Sequence, residues 1–331
     1  MALSLTTNIT AAIPAYYDRL LLDNLYPDLY LYQFGVKKSI PRNFGKTIQF
    51  TRYFKGSTGA AGHLPLAVLT EGSPIGLSAL SATSVTATLS GYGSAIGVSD
   101  LIVMTAISDV VRGAVYELSK DAALKIEQRT RQAISGSGQL LPGRNSSTTL
   151  SALIGTTSTI YGKDLYRAVA KLRQSNARTW PDGYFAGVMH PRVAFDIRND
   201  IGTNTPGAWV EINKYASTET VGNCYRGEVG RIGGVRVVES SEAKQLYGAA
   251  TVAAPMSASS SGFITQVIGP GAYGEVELDS SAAAVFVHQV GSAGSADPIN
   301  QKGSIGVKVY FAPVVLEAAR MVRITSGGRT L

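Results

Sequence analysis

Residues Ile107 to Ile134 carry the one long helical pattern in a chain otherwise broken up by Gly, Ser and short β-branched runs. Val111, Val115, Leu118, Ala122, Ile126 and Ala133 recur at three-, four- and seven-residue steps, which places them on one stripe of a helix. Ser108 can cap the first turn through its side-chain oxygen, and Gly136, Gly138 and Gly143 stop the helix. At 1.5 Å per residue it is roughly 40 Å long. The opposite face mixes Arg112, Lys120, Lys125, Arg129 and Arg131 with Asp109, Glu117, Asp121 and Glu127, a balance that predicts a solvated face.

Most of the remaining chain reads as strands, so the expected class is α+β. Pro14 suits the first turn of a short helix to about Asn24, with Tyr17, Leu20, Leu21 and Leu25 on one apolar face and Pro27 ending it. Leu29 to Phe34 alternates as an extended segment does, and the first forty residues read as an arm. Lys46–Phe54 and Ser84–Tyr92 read as strands. Between them, Gly56 to Thr83 exceeds the roughly 12–15 residues of an ordinary connection and carries Leu64, Leu66, Val68, Leu69, Ile75, Leu77 and Leu80. Nothing local buries those side chains, so they want a partner surface; the alternative is a further strand pair of the same domain.

After Thr159 a second region opens, with a helix over Lys163–Asn176, a strand over Tyr184–Met189 and a short helix over Pro191–Asn199. Strands at Val235–Glu239 and Phe263–Ile268 flank a Gly/Ser/Ala-rich stretch. Ala283–Val290, Gly306–Phe311 and Val314–Ile324 are strand-like and can return to pair beside the long helix.

Composition narrows the class. A chain of 331 residues suggests two domains or one large one. Only 16% of residues are charged, against roughly 25% in typical soluble domains, which points to surface buried against copies of itself. The net charge of +7 is diffuse. Its densest stretch, Lys302 to Arg329, suits unspecific rather than sequence-reading contact with nucleic acid. One Cys and three scattered His exclude a disulfide scaffold and a structural zinc site. No run approaches roughly 18 apolar residues and no secretory pattern opens the chain, so the expectation is synthesis and retention in the cytoplasm.

Candidate chemistry is sparse. Gly269-Pro270-Gly271-Ala272-Tyr273-Gly274 fits G-x-G-x-x-G, but Glu275 to Leu278 alternates as a strand where a dinucleotide site needs a helix N-terminus, so a tight turn is expected. Gly162-Lys163 lacks the glycine spacing of a phosphate-binding loop. His190 lies near Asp196 without a nucleophile pattern and reads as a capping or packing residue. Cys224, beside Tyr225 and Arg226, reads as a plain thiol, and Glu275 and Glu277 as two acids on one side of a strand. Asn8-Ile9-Thr10 and Asn145-Ser146-Ser147 fit a glycosylation pattern without a secretory context. No catalytic residue, cofactor or metal ligand emerges.

Ile40-Pro41-Arg42-Asn43-Phe44-Gly45-Lys46-Thr47-Ile48-Gln49-Phe50-Thr51-Arg52-Tyr53, followed by Leu69-Thr70-Glu71-Gly72-Ser73-Pro74, resembles the major capsid proteins of tailed phages, in the branch named after the coat of podophage N-four. The resemblance continues through Gly91-Tyr92-Gly93, Val98-Ser99-Asp100-Leu101, Tyr161-Gly162-Lys163-Asp164-Leu165, His190-Pro191, Gly227-Glu228-Val229-Gly230, Gly233-Gly234-Val235 and Asp297-Pro298, nearly the full chain in a shared order. It implies the Hong Kong 97-like fold. Residues 1–40 would be the N-terminal arm, and 41–158 with 279–331 the peripheral domain, including an extended loop at about 51–95 and a spine helix at about 107–134. Residues 159–278 would be the axial domain.

The implied function is structural: hexamers and pentamers closing an icosahedral head shell around double-stranded DNA, made in the bacterial cytoplasm. Partners would be further copies of the chain, a portal, scaffold and cement proteins, and the packaged DNA, with no membrane. Tyr17, Leu21, Arg52, Leu66, Leu69, Glu71 and Leu77 would lie at subunit interfaces, with Arg52 and Glu71 at the loop's edges holding its base or its contact to a neighbour. Some relatives of this fold crosslink a loop Lys to a neighbour's Asn, but Gly56 to Thr83 contains no Lys and only Lys55 stands at the base, so no crosslinking is expected. The competing readings are an encapsulin-like nanocompartment, a nucleotide-dependent enzyme, and a tail or decoration protein.

Overall fold

The long helix runs over Val110–Ser135 (α2), after a six-residue helix at Asp100–Thr105 (α1). Its cap is Asp109, whose Oδ1 accepts the Arg112 N–H at 3.1 Å. Ser108 lies outside the residues that this computed structural model describes, which are 29–41, 43–55, 68, 71–72, 80–105, 109–143, 159–200, 209–214, 224–243, 245–246, 261–278, 283–292 and 299–328. Ala114, Val115, Leu118, Ala123, Ile126 and Ile134 form the buried stripe, with Val111 and Ala122 at its margin. Ile134 rather than Ala133 closes it. Glu127, assigned to the solvated face by its charge, is instead 2% exposed. It stands one turn from both Ala123 and Thr130, inside the arc that packing covers.

Under α2 lies a five-stranded sheet. Its longest strand is Lys302–Val315 (β14), where Ile305, Val307, Val309 and Phe311 alternate toward the helix and pack with Val115, Leu118 and Ile126. One edge of β14 pairs with Ser90–Ser99 (β4). Its other edge takes Ala283–His288 (β13) and then Tyr273–Leu278 (β12), both antiparallel. Val36–Ile40 (β1) adds to β12 in parallel.

The second sheet has eight strands and holds the other core. Along it run Gln139–Pro142 (β5), Met321–Gly328 (β15), Ser261–Ile268 (β11), Phe185–Met189 (β6), Val235–Glu239 (β9), Glu228–Ile232 (β8) and Val210–Glu211 (β7), with Gln245–Leu246 (β10) also on β11. The helices Gly162–Gln174 (α3) and Pro191–Asp200 (α4) cover it, so that Leu165, Ala168, Leu172, Val193 and Ile197 meet Phe185, Val235, Val267 and Ile324. Leu172 has no exposed surface. Leu172→Ala is therefore expected to lower the unfolding free energy by about 2–5 kcal/mol, read from the denaturation midpoint.

Three sequence expectations change. Leu29–Phe34 is not extended: Leu31–Phe34 forms a 3-10 turn, with Leu29, Leu31, Tyr32 and Phe34 all buried. Phe34 meets the Tyr225 ring edge-on at 5.0 Å, and that pocket selects a compact backbone over an alternating one. The strand read at Ser84–Tyr92 is two, because the chain changes partner at Leu89, whose N–H bonds the Lys46 carbonyl at 2.8 Å. Val314–Ile324 is likewise interrupted by a 3-10 turn at Ala318–Arg320, where the chain passes from one sheet to the other. The short helix read at Pro14–Asn24 and most of Gly56–Thr83 lie outside the described residues. Gly269–Ala272 is a turn, as read, with Gly271 at φ +72° and the Ala272 N–H on the Gly269 carbonyl.

Candidate assembly surfaces

A two-stranded ribbon, paired into neither sheet, is built from Thr47–Lys55 (β2) and Leu80–Thr88 (β3) in antiparallel register. At its root Ile48, Phe50 and Leu89 pack against a small core of Ile40, Ala87, Val276 and Ala312. Further out, Gln49, Thr51, Arg52, Tyr53, Ala82, Thr83 and Ser84 are exposed. A hairpin without a third strand or a covering layer is marginal on its own. The ribbon is steadied by charge: Arg52 Nη1 lies 2.6 Å from Glu317 Oε1, and the other Glu317 oxygen lies 2.8 Å from Arg320 Nε. Glu317 belongs to the turn that links the two sheets, so this clamp ties the ribbon's direction to the body.

Helix α1 exposes apolar side chains that a folded chain normally covers. Leu101, Ile102, Val103 and Met104 are 66%, 48%, 50% and 80% exposed. Beside them Ile299 is 71% exposed, held near by the Asp100 N–H bonding the Gln301 carbonyl at 3.1 Å. Phe44, before β2, and Tyr53 and Leu80, on the ribbon, are exposed as well. Apolar patches of this kind mark contact surfaces.

The residues weighed for chemistry hold structural positions. His190 Nδ1 accepts the Arg192 N–H at 3.2 Å at the start of α4, and its ring stacks on Phe263 with centroids 4.7 Å apart. Burial, then the Arg192 charge, lowers its pKa below the ordinary histidine value. Desolvation pushes the Cys224 thiol up, opposite to an activated cysteine. An open basin lined by Tyr166, Arg173, Tyr184, Arg231 and the Gly233–Gly234 turn holds no nucleophile and base in partnership. Among the described residues, no group of three or more His, Cys, Asp or Glu could hold a metal ion, and no helix is long and apolar enough to cross a membrane.

The phage capsid protein family matches residues 82–324. The chain belongs to that family. Its fold is the Hong Kong 97-like capsid fold, and solved structures agree. The capsid of Ralstonia phage GP4 superposes with a TM-score of 0.69 at 10% identity, covering 92% of each chain. That of cyanophage P-SCSP1u gives 0.61 at 13% identity, over 92% of this chain and 89% of the other. The SrpI encapsulin of Synechococcus elongatus PCC 7942 gives 0.54 at 10% identity, over 89% and 85%. The sequence matches no curated protein. The chain is thus a phage capsid shell protein whose place is the virion.

Within this capsid protein the residues singled out from sequence separate. Arg52 is half-exposed on β2 and engages Glu317. Glu71 is exposed in a turn beside Gly72, which has φ +79°. Tyr17, Leu21, Leu66, Leu69 and Leu77 lie outside the described residues. Sequence reasoning missed Glu317 and the α1 patch. The run Leu101-Ile102-Val103-Met104 is visible in the sequence as an apolar stretch before the long helix, but its exposure is set by how distant segments pack.

Proposed function

We propose that this chain is the major capsid protein of a tailed phage, assembling as hexamers and pentamers into an icosahedral head around double-stranded DNA. The observation that carries this reading is a capsid-family chain holding out a ribbon whose outer part is exposed among the described residues, clamped in direction at Arg52 and Glu317. A neighbouring copy would supply the layer that the ribbon lacks, and the α1 patch would be covered in the same way. In this reading residues 1–40 are the arm, 41–158 and 279–331 the peripheral domain with the extended loop and spine helix, and 159–278 the axial domain. Strand β15 is then the piece by which the closing segment enters the other sheet. The interface residues would be Tyr17, Leu21, Arg52, Leu66, Leu69, Glu71 and Leu77, together with Leu101, Ile102 and Met104.

No catalytic step belongs to this function. Contact with DNA would be unspecific and weaken with salt, as a diffuse +7 charge implies. A scaffold protein would guide closure, a cement protein could reinforce the shell, and a portal would occupy one vertex. Synthesis would be in the bacterial cytoplasm.

Electron microscopy of the purified chain, alone and with its scaffold, tests the reading. Closed shells, tubes or capsomer rings are expected; a monodisperse monomer under every condition would sink it. Packaged nucleic acid in particles from infected cells separates a phage head from a compartment loaded with protein cargo. The same particles should run as a single monomer band on a denaturing gel, since the loop from Gly56 to Thr83 has no Lys. A ladder of crosslinked oligomers would contradict that.

A further inference from the structure

The segment Leu29–Ile40 is fastened to α2 and β12 by acidic and phenolic side chains. Glu127 of α2 accepts the Leu31 N–H on both carboxyl oxygens, at 2.9 and 3.1 Å. The Tyr273 hydroxyl donates to the Leu31 carbonyl, and the Tyr32 hydroxyl donates to Glu277. Gly35 lies directly on the Glu275 carboxyl: a β-carbon there would come within 2.6 Å of Glu275 Cδ and 2.9 Å of Oε2. Glu127 is 2% exposed, and Glu275 and Thr130 are fully buried.

Two carboxyls thus sit under one short segment; the Leu31 and Tyr30 N–H groups and Arg131 favour the ionised form of Glu127, and burial outweighs them. The Thr130 hydroxyl faces the Glu275 oxygens and favours their ionised form, and among the described residues neither group has a hydrogen bond of full geometry. Lys37, the cation nearest in influence to Glu275, has its Nζ 3.8 Å from the centre of the Tyr32 ring. Arg131, one turn beyond Glu127, is 3.0 Å from Glu242, whose charge opposes ionisation of Glu127. Glu277 and Tyr273 are the other titratable groups around the pair among the described residues.

We propose that this cluster is a proton-operated latch: Leu29–Ile40 lies docked on α2 and β12 while Glu127 and Glu275 are both protonated, and release of the Glu127 proton to water loosens it. Burial is the main cause of a Glu127 pKa pushed up to about 7, and it drives Glu275 well above the usual carboxylate range. Once the segment lifts, water reaches Glu127 and its pKa returns toward 4.5. The docked state therefore binds the proton more tightly. Docking is strongest below about pH 4.5 and is lost progressively as pH rises through about 7. The expected change in docking equilibrium between pH 5 and pH 8 is on the order of a hundredfold. The inference goes beyond the shell reading and holds for the free chain as well.

Amide exchange of the full chain, followed by mass spectrometry from pH 5 to pH 8 and corrected for the intrinsic pH dependence, tests the latch. Protection of residues 29–40 should fall on the order of a hundredfold in the wild type and stay level in Glu127→Gln. A level wild-type profile overturns the proposal, as does an equal fall in Glu127→Gln. So does a parallel loss in residues 162–174, which would mean global unfolding. Gly35→Ala provides a second arm that leaves both acids in place. It should be unprotected at pH 5 already, and retained protection there would contradict the docked geometry.

Discussion

Replacing Arg236 with Met is expected to cost about 3–5 kcal/mol of folding stability. The guanidinium is buried, with Nε 2.9 Å from Asp182 and Nη1 3.6 Å from Glu228, whose side chain has no exposed surface. It also lies 5.6 Å and 5.2 Å from the centres of the Tyr184 and Tyr225 rings. Removing it takes the Arg236 cation away from the Glu228 carboxyl in the core, which also accepts the Tyr225 N–H at 2.9 Å. Much of the loss is thus the penalty of a stranded charge rather than the worth of the pair. Adding Glu228→Gln to Arg236→Met should recover a large part of it. Urea unfolding of both variants, with unchanged slope, checks this. A single variant within 1 kcal/mol of wild type would show that the charge finds water without the arginine. Tyr225 also supports Phe34, so the loss should reach the N-terminal segment.

Arg52→Glu should leave folding nearly untouched and prevent shell assembly. Arg52 is 51% exposed, and an exposed ion pair contributes only about 0–1 kcal/mol to folding. The reversed charge, however, faces Glu317 and pushes the ribbon from its direction. In the shell reading every copy presents the same ribbon, so a loss of about 1.4 kcal/mol at one contact weakens it tenfold and recurs around the particle. Sedimentation of assembled material, beside thermal unfolding of the free chain, separates the two effects. Shells formed in normal yield would remove the clamp from any role in assembly, and a large fall in melting temperature would make it a folding contact instead.

Much of the fold was legible because its signals are local. The stripe through Val115, Leu118 and Ile126 and the alternation of Ile305, Val307, Val309 and Phe311 are spacings within single elements. They identify a helix and a strand before either has a partner. The place of His190 before Pro191 reads as a capping or packing residue, and it does both, accepting the Arg192 N–H at the start of α4 and stacking on Phe263. The candidate surfaces were legible only in part. Arg52 stands in a recognisable stretch, but its partner Glu317 is far along the chain, at a turn inside a segment that the residue pattern alone makes a continuous strand. Leu29–Phe34 alternates in sequence yet coils in the structure, because Tyr225 and Trp180 accept Phe34 and Glu127 accepts the Leu31 N–H.

From residue order alone came the α+β class, the long helix and most of the strands, which rest on patterns a few residues apart, and the phage capsid family, which rests on short motifs in a shared order along the chain. Tertiary structure alone decided that Glu127 and Glu275 are buried together under Leu29–Ile40, and that Leu101, Ile102 and Met104 are bare. Burial is a property of what arrives from elsewhere in the chain. A glutamate on a helix reads the same whether water or a second strand lies across from it, and only the packed neighbour changes its proton affinity.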